Sequence, residues 1–142
     1  MNARLSIVPF AANTRLALPL LLSTVPAGFP SPAEDYIDKR LDLNEHLVRH
    51  PAATFFVRVA GDSMRDAGVA DGDILIVDRA VEPRTGSIVI AAVNGELTVK
   101  RLKKGRTRVW LVPENPDFAP TEITPEMQFE VWGVVTYIIH KA

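Results

Sequence analysis

The hydrophobic pattern after residue 50 is that of β-strands, because apolar residues either alternate with polar ones or form runs too short for buried helices. The two residues Asn94-Gly95 separate two of these runs and signal a tight β-hairpin. We therefore predict a mostly β domain of several antiparallel strands. The predicted strands cover residues 54–59, 73–78, 86–93, 96–102, 108–112 and 129–139.

One short helix is predicted ahead of the first of these strands. Asp42-Leu43-Asn44-Glu45 matches a capping box with Asp42 as the N-cap, and Pro51 is expected to end the helix after His50. His46 and His50 have the i, i+4 spacing of a metal-binding pair, but no third ligand is evident. We therefore interpret them as surface residues and expect no metal.

The first 27 residues differ in composition from the rest of the chain. They contain Arg4 and Arg15 but no acidic residue, so they carry +2, whereas residues 28–142 carry −3 and the whole chain carries −1. Their apolar stretch at residues 16–25 is interrupted by a proline. These features predict a flexible N-terminal arm over residues 1–27 and a compact domain over residues 28–142.

Composition excludes several classes of function. At 142 residues the chain fits one domain, which can bury roughly 70% of its unfolded surface. The absence of cysteine excludes disulfides, thiolate nucleophiles and cysteine-based zinc sites. A net charge of −1 gives no general attraction to nucleic acid or to anionic membranes, so direct DNA binding is not expected. Residues 100–108 hold six basic residues but no aromatic one, which favours a solvated hairpin end over a nucleic-acid patch and leaves a partner-binding role open.

Ser63 and Lys100 are the candidate chemical pair. Ser63 lies in the turn Gly61-Asp62-Ser63-Met64, and Lys100 lies 37 positions later in a strand-like segment. A serine hydroxyl is a weak nucleophile unless a neighbouring base takes its proton, and neither segment contains a histidine. A lysine can be that base when burial against apolar neighbours lowers its pKa, since only the neutral amine accepts a proton.

The predicted hairpin gives Lys100 an inward position. With period-two alternation, Thr98, Lys100 and Leu102 share one face of the strand, whereas Arg101 and Lys103 share the other. We therefore expect Lys100 to be buried beside Leu102 and Arg101 to face solvent. Arg101 cannot replace Lys100 as the base, because a guanidinium group does not lose its proton in proteins.

A third segment is suited to cleavage. Ala27 and Gly28 are small residues flanked by Pro26 and Pro30, and proline-rich segments stay extended. A protease cleft can admit an extended backbone with small side chains. A nucleophile, a base and a cleavable segment in one chain predict that the protein cuts itself between Ala27 and Gly28.

Seven segments of the chain occur in a characteristic order. They are Ala27-Gly28-Phe29-Pro30-Ser31-Pro32-Ala33-Glu34-Asp35-Tyr36, Asp42-Leu43-Asn44, His50-Pro51, Gly61-Asp62-Ser63-Met64, Asp71-Gly72-Asp73, Thr98-Val99-Lys100 and Trp132-Gly133-Val134-Val135. Together they resemble the LexA/UmuD family of self-cleaving Ser-Lys peptidases, from about Gly28 to the C-terminus, and bacterial signal peptidase is a more remote relative of that family.

The resemblance implies a compact LexA/UmuD-type peptidase domain and a role in the cytoplasmic SOS response, without a cofactor or a membrane. It implies Ser63 as the nucleophile, Lys100 as the general base, and the backbone N–H groups of Asp62 and Ser63 as oxyanion donors. It also implies cleavage stimulated by the RecA–single-stranded DNA filament. The shortened homodimer would then be the accessory subunit of a UmuC-type translesion polymerase, with the replicative sliding clamp as a further candidate partner.

Three alternatives stay open. The basic start, the apolar run and Val25-Pro26-Ala27 are similar to a secretory signal, although Pro19 breaks the run and no stretch reaches the ~20 apolar residues that span a bilayer. A LexA-like repressor is disfavoured because the residues before the cut are too few for a helix-turn-helix domain. The third alternative is a non-cleaving regulatory module in which Ser63 and Lys100 are relics.

Overall fold

The structure, a computed structural model, describes residues 4–11, 15–21, 27–28 and 37–142. The elements in chain order are β1 (Arg4–Pro9), β2 (Ala17–Leu21), β3 (Ile37–Asp42), α1 (Leu43–Leu47), β4 (Thr54–Ala60), β5 (Ile74–Asp78), β6 (Ile88–Val93), β7 (Glu96–Lys104), β8 (Val109–Val112), β9 (Thr121–Ile123) and β10 (Phe129–Ile139), with short 3-10 turns at Pro51–Ala53 and Arg65–Ala67. The prediction of a mostly β fold with one short helix is confirmed. Nowhere in the described part of the chain is a helix long and apolar enough to cross a membrane.

The contacts divide the chain into two compact units. Unit 1 comprises Met1–Phe10 and His50–Ala142, and unit 2 comprises Ala11–Arg49. Strands β1 and β4–β10 therefore belong to unit 1, whereas β2, β3 and α1 belong to unit 2. The division into an arm over residues 1–27, removed by self-cleavage, and a domain over residues 28–142 stays a prediction.

Unit 1 is built on an antiparallel sheet of eight strands in the order β1-β4-β5-β10-β6-β7-β8-β9. Two hydrophobic clusters form its core. The first contains Val57, Val59, Met64, Val69, Leu75, Val77, Ile90 and Val99, and the second contains Val89, Ala91, Leu102, Leu111 and Val134. Strand β7 contributes to both clusters through Val99 and Leu102, which point to opposite faces and are both fully buried. The centre of β7 is thus covered on both faces, and Lys100 lies there.

The β6–β7 hairpin has the turn that its sequence predicts. Asn94 and Gly95 both have positive φ, 50° and 80°, as a type I′ turn requires. The turn sets a register in which Val89 pairs with Lys100. Because a shift by one residue would exchange the two faces of β7, the turn determines which basic residues point inward.

Strand β10 is irregular where it passes its neighbours. Its pairing with β6 shifts between Val131 and Gly133, and its pairing with β5 shifts between Val135 and Tyr137. At the first shift, a Cβ on Gly133 would lie 2.5 Å from Val77 Cγ1, which is closer than two non-bonded carbon atoms can approach. Glycine at this position therefore allows β10 to pack tightly against β5.

In unit 2, β2 pairs with β3, and β3 leads directly into α1. Asp42 is the N-cap, as predicted, since its side chain accepts a hydrogen bond from the N–H of Asn44. The predicted end of the helix at His50 is wrong. The helix ends at Leu47 because the next residue, Val48, is extended, and its branched side chain disfavours helical backbone.

Four strands, β1, β2, β3 and β9, were not indicated by the hydrophobic pattern. Strand β1 pairs with β4 from Arg4 opposite Ala60 to Pro9 opposite Phe55. Part of the segment expected to form the arm is therefore an edge strand of the sheet in unit 1.

Gly133→Ala is expected to destabilise the protein, because the added methyl group would overlap Val77. Overpacking of this kind costs about 1–3 kcal/mol, which lowers the midpoint of thermal unfolding by roughly 3–10 °C in a chain of this size. Gly105→Ala is the matched control, since its Cβ would lie at an ordinary 3.6 Å from the carbonyl oxygen of Arg108. Equal midpoints for the two variants would contradict the close approach at Gly133.

Candidate active site

Ser63 lies in the turn that follows β4. The turn begins at Gly61, whose φ of 109° favours glycine and whose N–H donates to Asp71 Oδ1 at 2.8 Å. It continues into the 3-10 turn Arg65–Ala67. Met64 is 2% exposed and belongs to the first core cluster, so it anchors the turn, and Ser63 beside it is 1% exposed.

Lys100 reaches the same place from β7. Its Nζ lies 3.3 Å from Ser63 Oγ and 2.7 Å from Thr98 Oγ1, and the residue is 6% exposed. The fold thus brings together two side chains that are 37 positions apart in the sequence. A small further approach of Nζ to Oγ gives the distance at which a base takes a proton.

Burial lowers the pKa of Lys100 from 10.5 to about 8, because the charged amine loses hydration that its surroundings do not replace. Its hydrogen-bond partners among the described residues are hydroxyl groups, and hydroxyl groups carry no charge to offset this effect. A substantial fraction of the amine is therefore neutral near physiological pH.

Thr98 lies on the face that the alternation predicts, but the sequence indicated no role for it. Its Oγ1 accepts the shorter of the two hydrogen bonds from Lys100 Nζ. The amine is thereby held between two hydroxyl groups, which restricts the rotamers of a long side chain and keeps Nζ near Ser63. The spacing i, i+2 on a strand was the available signal for this contact.

The segment after β8 also supports the site, although no motif in the sequence indicated it. The N–H of Glu114 donates to the carbonyl oxygen of Ser63 at 2.9 Å, and the N–H of Asp66 donates to the carbonyl oxygen of Glu114 at 2.7 Å. The side chain of Asn115 donates to the carbonyl oxygen of Asp62 at 2.9 Å. These bonds hold the backbone of the Ser63 turn. No local motif marks them, because they join residues about fifty positions apart.

Arg101 has a different environment from its neighbour Lys100. Its Nε lies 2.5 Å from Glu114 Oε1, and its Nη1 lies 2.6 Å from the carbonyl oxygen of Gly86. The expectation that Arg101 faces solvent is therefore wrong in part, since the ion pair leaves its side chain 28% exposed. Lys103, the next residue on that face, is exposed as expected.

A cleft of about 380 Å³ adjoins Lys100 in unit 1. Strands β6 and β7, their turn, and strands β8 and β9 supply its walls. It is lined by Val93, Asn94, Glu96, Thr98, Lys100, Leu111 and Thr121. These four strands are consecutive neighbours in the sheet, so the cleft lies along one face of it, next to Lys100.

The predicted cleavage bond joins Ala27 to Gly28 in unit 2. Both residues are exposed and form a bend. A Cβ added at Gly28 would meet no atom within 4 Å, so this conformation accommodates a larger side chain there. The prolines on which the prediction of an extended segment rested, Pro26 and Pro30, lie outside the described residues.

His50, one of the two histidines spaced for chelation, pairs with a buried carboxylate: its Nδ1 lies 2.6 Å from Asp78 Oδ2. His140 makes a similar contact of 2.7 Å with Asp73 Oδ1. Within the described residues, no three His, Cys, Asp or Glu side chains are grouped closely enough to hold a metal ion.

Comparison with known proteins identifies the family. The Peptidase S24-like family matches residues 19–136, a range that includes Ser63, Lys100 and the predicted cleavage bond. The chain belongs to this family. The LexA/UmuD assignment made from the motifs is thereby confirmed, and the S24-like match agrees with the mostly β fold of unit 1.

The S24-like chain has relatives along most of its length. Protein SamA of Salmonella typhimurium is 48% identical over 137 residues, which cover 96% of this chain and 95% of that protein. Protein MucA of Escherichia coli is 48% identical over 122 residues, covering 85% and 83%. The LexA repressor of Ectopseudomonas mendocina is 42% identical over 120 residues, which cover 84% of this chain but 58% of the repressor.

The lowered pKa of Lys100 predicts a pH dependence of stability with a definite sign. In the unfolded chain Lys100 loses its proton near pH 10.5, whereas in the folded chain it does so near pH 8. Between these values the unfolded state binds more protons, so the contribution of Lys100 to stability rises with pH. Below pH 8 the full cost of burying the charge is present.

We therefore expect the free energy of unfolding of Lys100→Met, minus that of wild type, to be most positive below pH 8 and to fall towards pH 10. Urea unfolding at several pH values measures the difference, in which the titration of other groups cancels. Lys103→Met is the control at an exposed position of the same strand, and its difference should stay constant. A constant difference for Lys100→Met as well would contradict the lowered pKa.

Proposed function

We propose that the chain is a UmuD-type self-cleaving protein of the SOS response, with Ser63 and Lys100 as its catalytic pair. The observation that carries the proposal is the 3.3 Å contact between a buried serine hydroxyl and a lysine amine whose pKa is lowered to about 8. A serine nucleophile without a histidine needs a base of this kind. Membership of the S24-like peptidase family supports the same chemistry.

In the proposed reaction, the neutral amine of Lys100 takes the hydroxyl proton while Ser63 Oγ attacks the carbonyl carbon of Ala27. The tetrahedral intermediate collapses, the Ala27–Gly28 bond breaks, and the ammonium group returns its proton to the leaving amine of Gly28. An ester now joins Ser63 to Ala27. A water molecule that gives its proton to Lys100 hydrolyses this ester, which releases residues 1–27 and restores both side chains.

The negative charge of the tetrahedral intermediate needs hydrogen-bond donors that are already in place. The proposed donors are the backbone N–H groups of Asp62 and Ser63. Support comes from the bonds that Glu114 and Asn115 make to the carbonyl oxygens of this turn, because a fixed backbone loses little energy to reorganisation during the reaction.

The cellular part of the proposal follows the LexA/UmuD family. The RecA–single-stranded DNA filament stimulates cleavage, and the shortened homodimer serves in the cytoplasm as the accessory subunit of a UmuC-type translesion polymerase, with the sliding clamp as a further partner. The similarity to SamA and MucA, which covers most of this chain and most of both proteins, supports this assignment.

Two substitutions test the catalytic pair. Ser63→Ala should fold normally and stay full length, because it lacks the attacking hydroxyl. Lys100→Arg should also stay full length, since arginine keeps the charge but does not accept a proton. Lys103→Arg, the same change at an exposed position, should be cut like wild type. Purified proteins are incubated at about pH 9 with and without a RecA filament, and the fragments are identified by mass.

The pH dependence of the cleavage rate without RecA tests whether Lys100 is the base. It should rise about tenfold per pH unit below pH 8 and level off above, following the neutral fraction of Lys100. A flat profile, or an active Lys100→Arg protein, would contradict the role of Lys100. Processing of Ser63→Ala at the same bond in cells would favour the secretory alternative, and an intact wild-type protein under all conditions would favour the non-cleaving module.

A second prediction concerns delivery of the cleavage segment to the catalytic pair. The pair needs no cofactor, so a permanently docked segment would be cut as fast as the chemistry allows. We therefore expect the docked arrangement to be a minor population in the resting dimer, which the RecA filament enriches. The segment can reach the site of its own subunit or that of the partner.

Mixing two defective chains distinguishes these routes. Ser63→Ala keeps a cleavable bond, and Gly28→Asp keeps the catalytic pair but presents a bulky charged residue at the bond. Cleavage of the Ser63→Ala chain in the mixture, followed by mass, would establish action between subunits. If wild type is cut under the same conditions and the Ser63→Ala chain is not, delivery takes place within one subunit.

A further inference from the structure

The side chain of Asn115 is held in one orientation beside the Ser63 turn. The residue is 4% exposed, its Nδ2 donates to the carbonyl oxygen of Asp62 at 2.9 Å, and its Oδ1 accepts from the N–H of Asp117 at 3.0 Å. The reversed amide would set oxygen against oxygen at Asp62 and two N–H groups against each other at Asp117. These two contacts therefore fix the orientation of the amide, with Nδ2 directed at the Ser63 turn.

This bond has a consequence for the next N–H group of the chain. The described peptide bonds are all trans, so the carbonyl of Asp62 and the N–H of Ser63 point in opposite directions. The Asp62 oxygen accepts from Asn115 and also from the N–H of Arg65 at 3.1 Å. Because these two hydrogen bonds hold the Asp62 oxygen, the N–H of Ser63 points away from Asn115. Among the described residues, no acceptor forms a hydrogen bond with this N–H.

The next peptide of the turn is held in the same way. The carbonyl oxygen of Ser63 accepts from the N–H of Glu114 at 2.9 Å, so residues 114 and 115 together fix both peptides that flank the nucleophile. The bond from Glu114 comes from the main chain and survives substitution there. The bond from Asn115 comes from a side chain, and substitution can therefore remove it alone.

We propose that Asn115 is a positioning residue that aims the N–H of Ser63 at the oxyanion of the tetrahedral intermediate. This inference rests on the proposed self-cleavage. An N–H group stabilises an oxyanion best when its direction is fixed before the charge forms, since reorientation during the reaction costs energy. Asn115 does not touch the reacting atoms, and it acts through the Asp62–Ser63 peptide.

Three substitutions separate this role from simple support of the loop. Asn115→Ser keeps an oxygen that can accept from the N–H of Asp117 and so preserve the local turn, but it does not reach Asp62. Asn115→Asp keeps the shape and the acceptor, but sets an oxygen against the Asp62 carbonyl. Asp117→Ala is the matched control, because Asp117 is exposed and contributes only its main-chain N–H to the contact.

The measurement is the self-cleavage rate from about pH 7 to 10, together with the midpoint of thermal unfolding of each variant. We expect Asn115→Ser and Asn115→Asp to lower the plateau rate by about 10- to 100-fold, part of the loss that follows removal of an oxyanion donor. The pH midpoint should stay near 8, since Lys100 is not disturbed. Asp117→Ala should cleave at the wild-type rate.

Three results would overturn the inference. The first is a wild-type plateau in Asn115→Ser, which would show that Asn115 serves only to form its own turn. The second is a fall in rate that accompanies a shifted pH midpoint, which would place the effect on Lys100. The third is a fall in rate fully accounted for by unfolding at the assay temperature in both Asn115 variants. Wild type that is never cut would instead refute the proposed function, and this inference with it.

Discussion

The burial of the Lys100 amine among neutral partners is the constraint on which the rest of the site depends. Among the described residues it hydrogen-bonds to Ser63 and Thr98, and both partners are hydroxyl groups. A carboxylate at this distance would favour the ammonium form and raise the pKa, which would remove the base. Leu102, which shares the face of β7 with Lys100, is fully buried and adds an apolar neighbour that offers the ammonium no compensation. The folded chain thus keeps an unfavourable charge, and stability at neutral pH is lower because of it.

The curvature of the sheet is the second requirement, because Ser63 and Lys100 arise from strands that are not neighbours. Strands β5, β10 and β6 lie between β4 and β7 in the sheet, yet Ser63 Oγ, just after β4, lies 3.3 Å from Lys100 Nζ on β7. A flat sheet would hold these strands far apart, since adjacent strands are about 4.8 Å apart. Irregularities increase the bend and twist of a strand, and β10, in the middle of this path, has two of them. Gly133 lies at the first irregularity, where the lack of a side chain permits the close approach to Val77.

The sequence predicted what depends on short-range pattern. The Asn94-Gly95 turn fixed a register, and the register placed Lys100 inward; both follow from backbone rules that act over a few residues. The sequence also predicted the cap at Asp42, but not the end of α1, because a five-residue helix has few hydrogen bonds to oppose an extended Val48. Strand β1 was not predicted, because its hydrogen-bond partners are backbone groups of β4 and no pattern within residues 4–9 specifies that pairing. The role of Asn115 was not predicted for the same reason, since its hydrogen-bond partner is a main-chain carbonyl oxygen 53 positions away.

In the proposed mechanism, the lowered pKa of Lys100 also limits where the reaction can be controlled. At pH 7 an amine with a pKa of about 8 is already about one-tenth neutral, so the base is held back only about tenfold from its maximum. The hydrogen bonds to the Ser63 turn are likewise formed in the structure, so the backbone around the nucleophile does not wait for a signal. In the proposed mechanism neither the base nor the turn can therefore keep the chain intact for long. Under this proposal the restraint comes from the cleavage segment, in which Ala27 and Gly28 are exposed and a Cβ at Gly28 would meet no atom within 4 Å. In the proposed mechanism, delivery of that segment to Ser63, rather than the reactivity of the pair, therefore decides when the chain is cut.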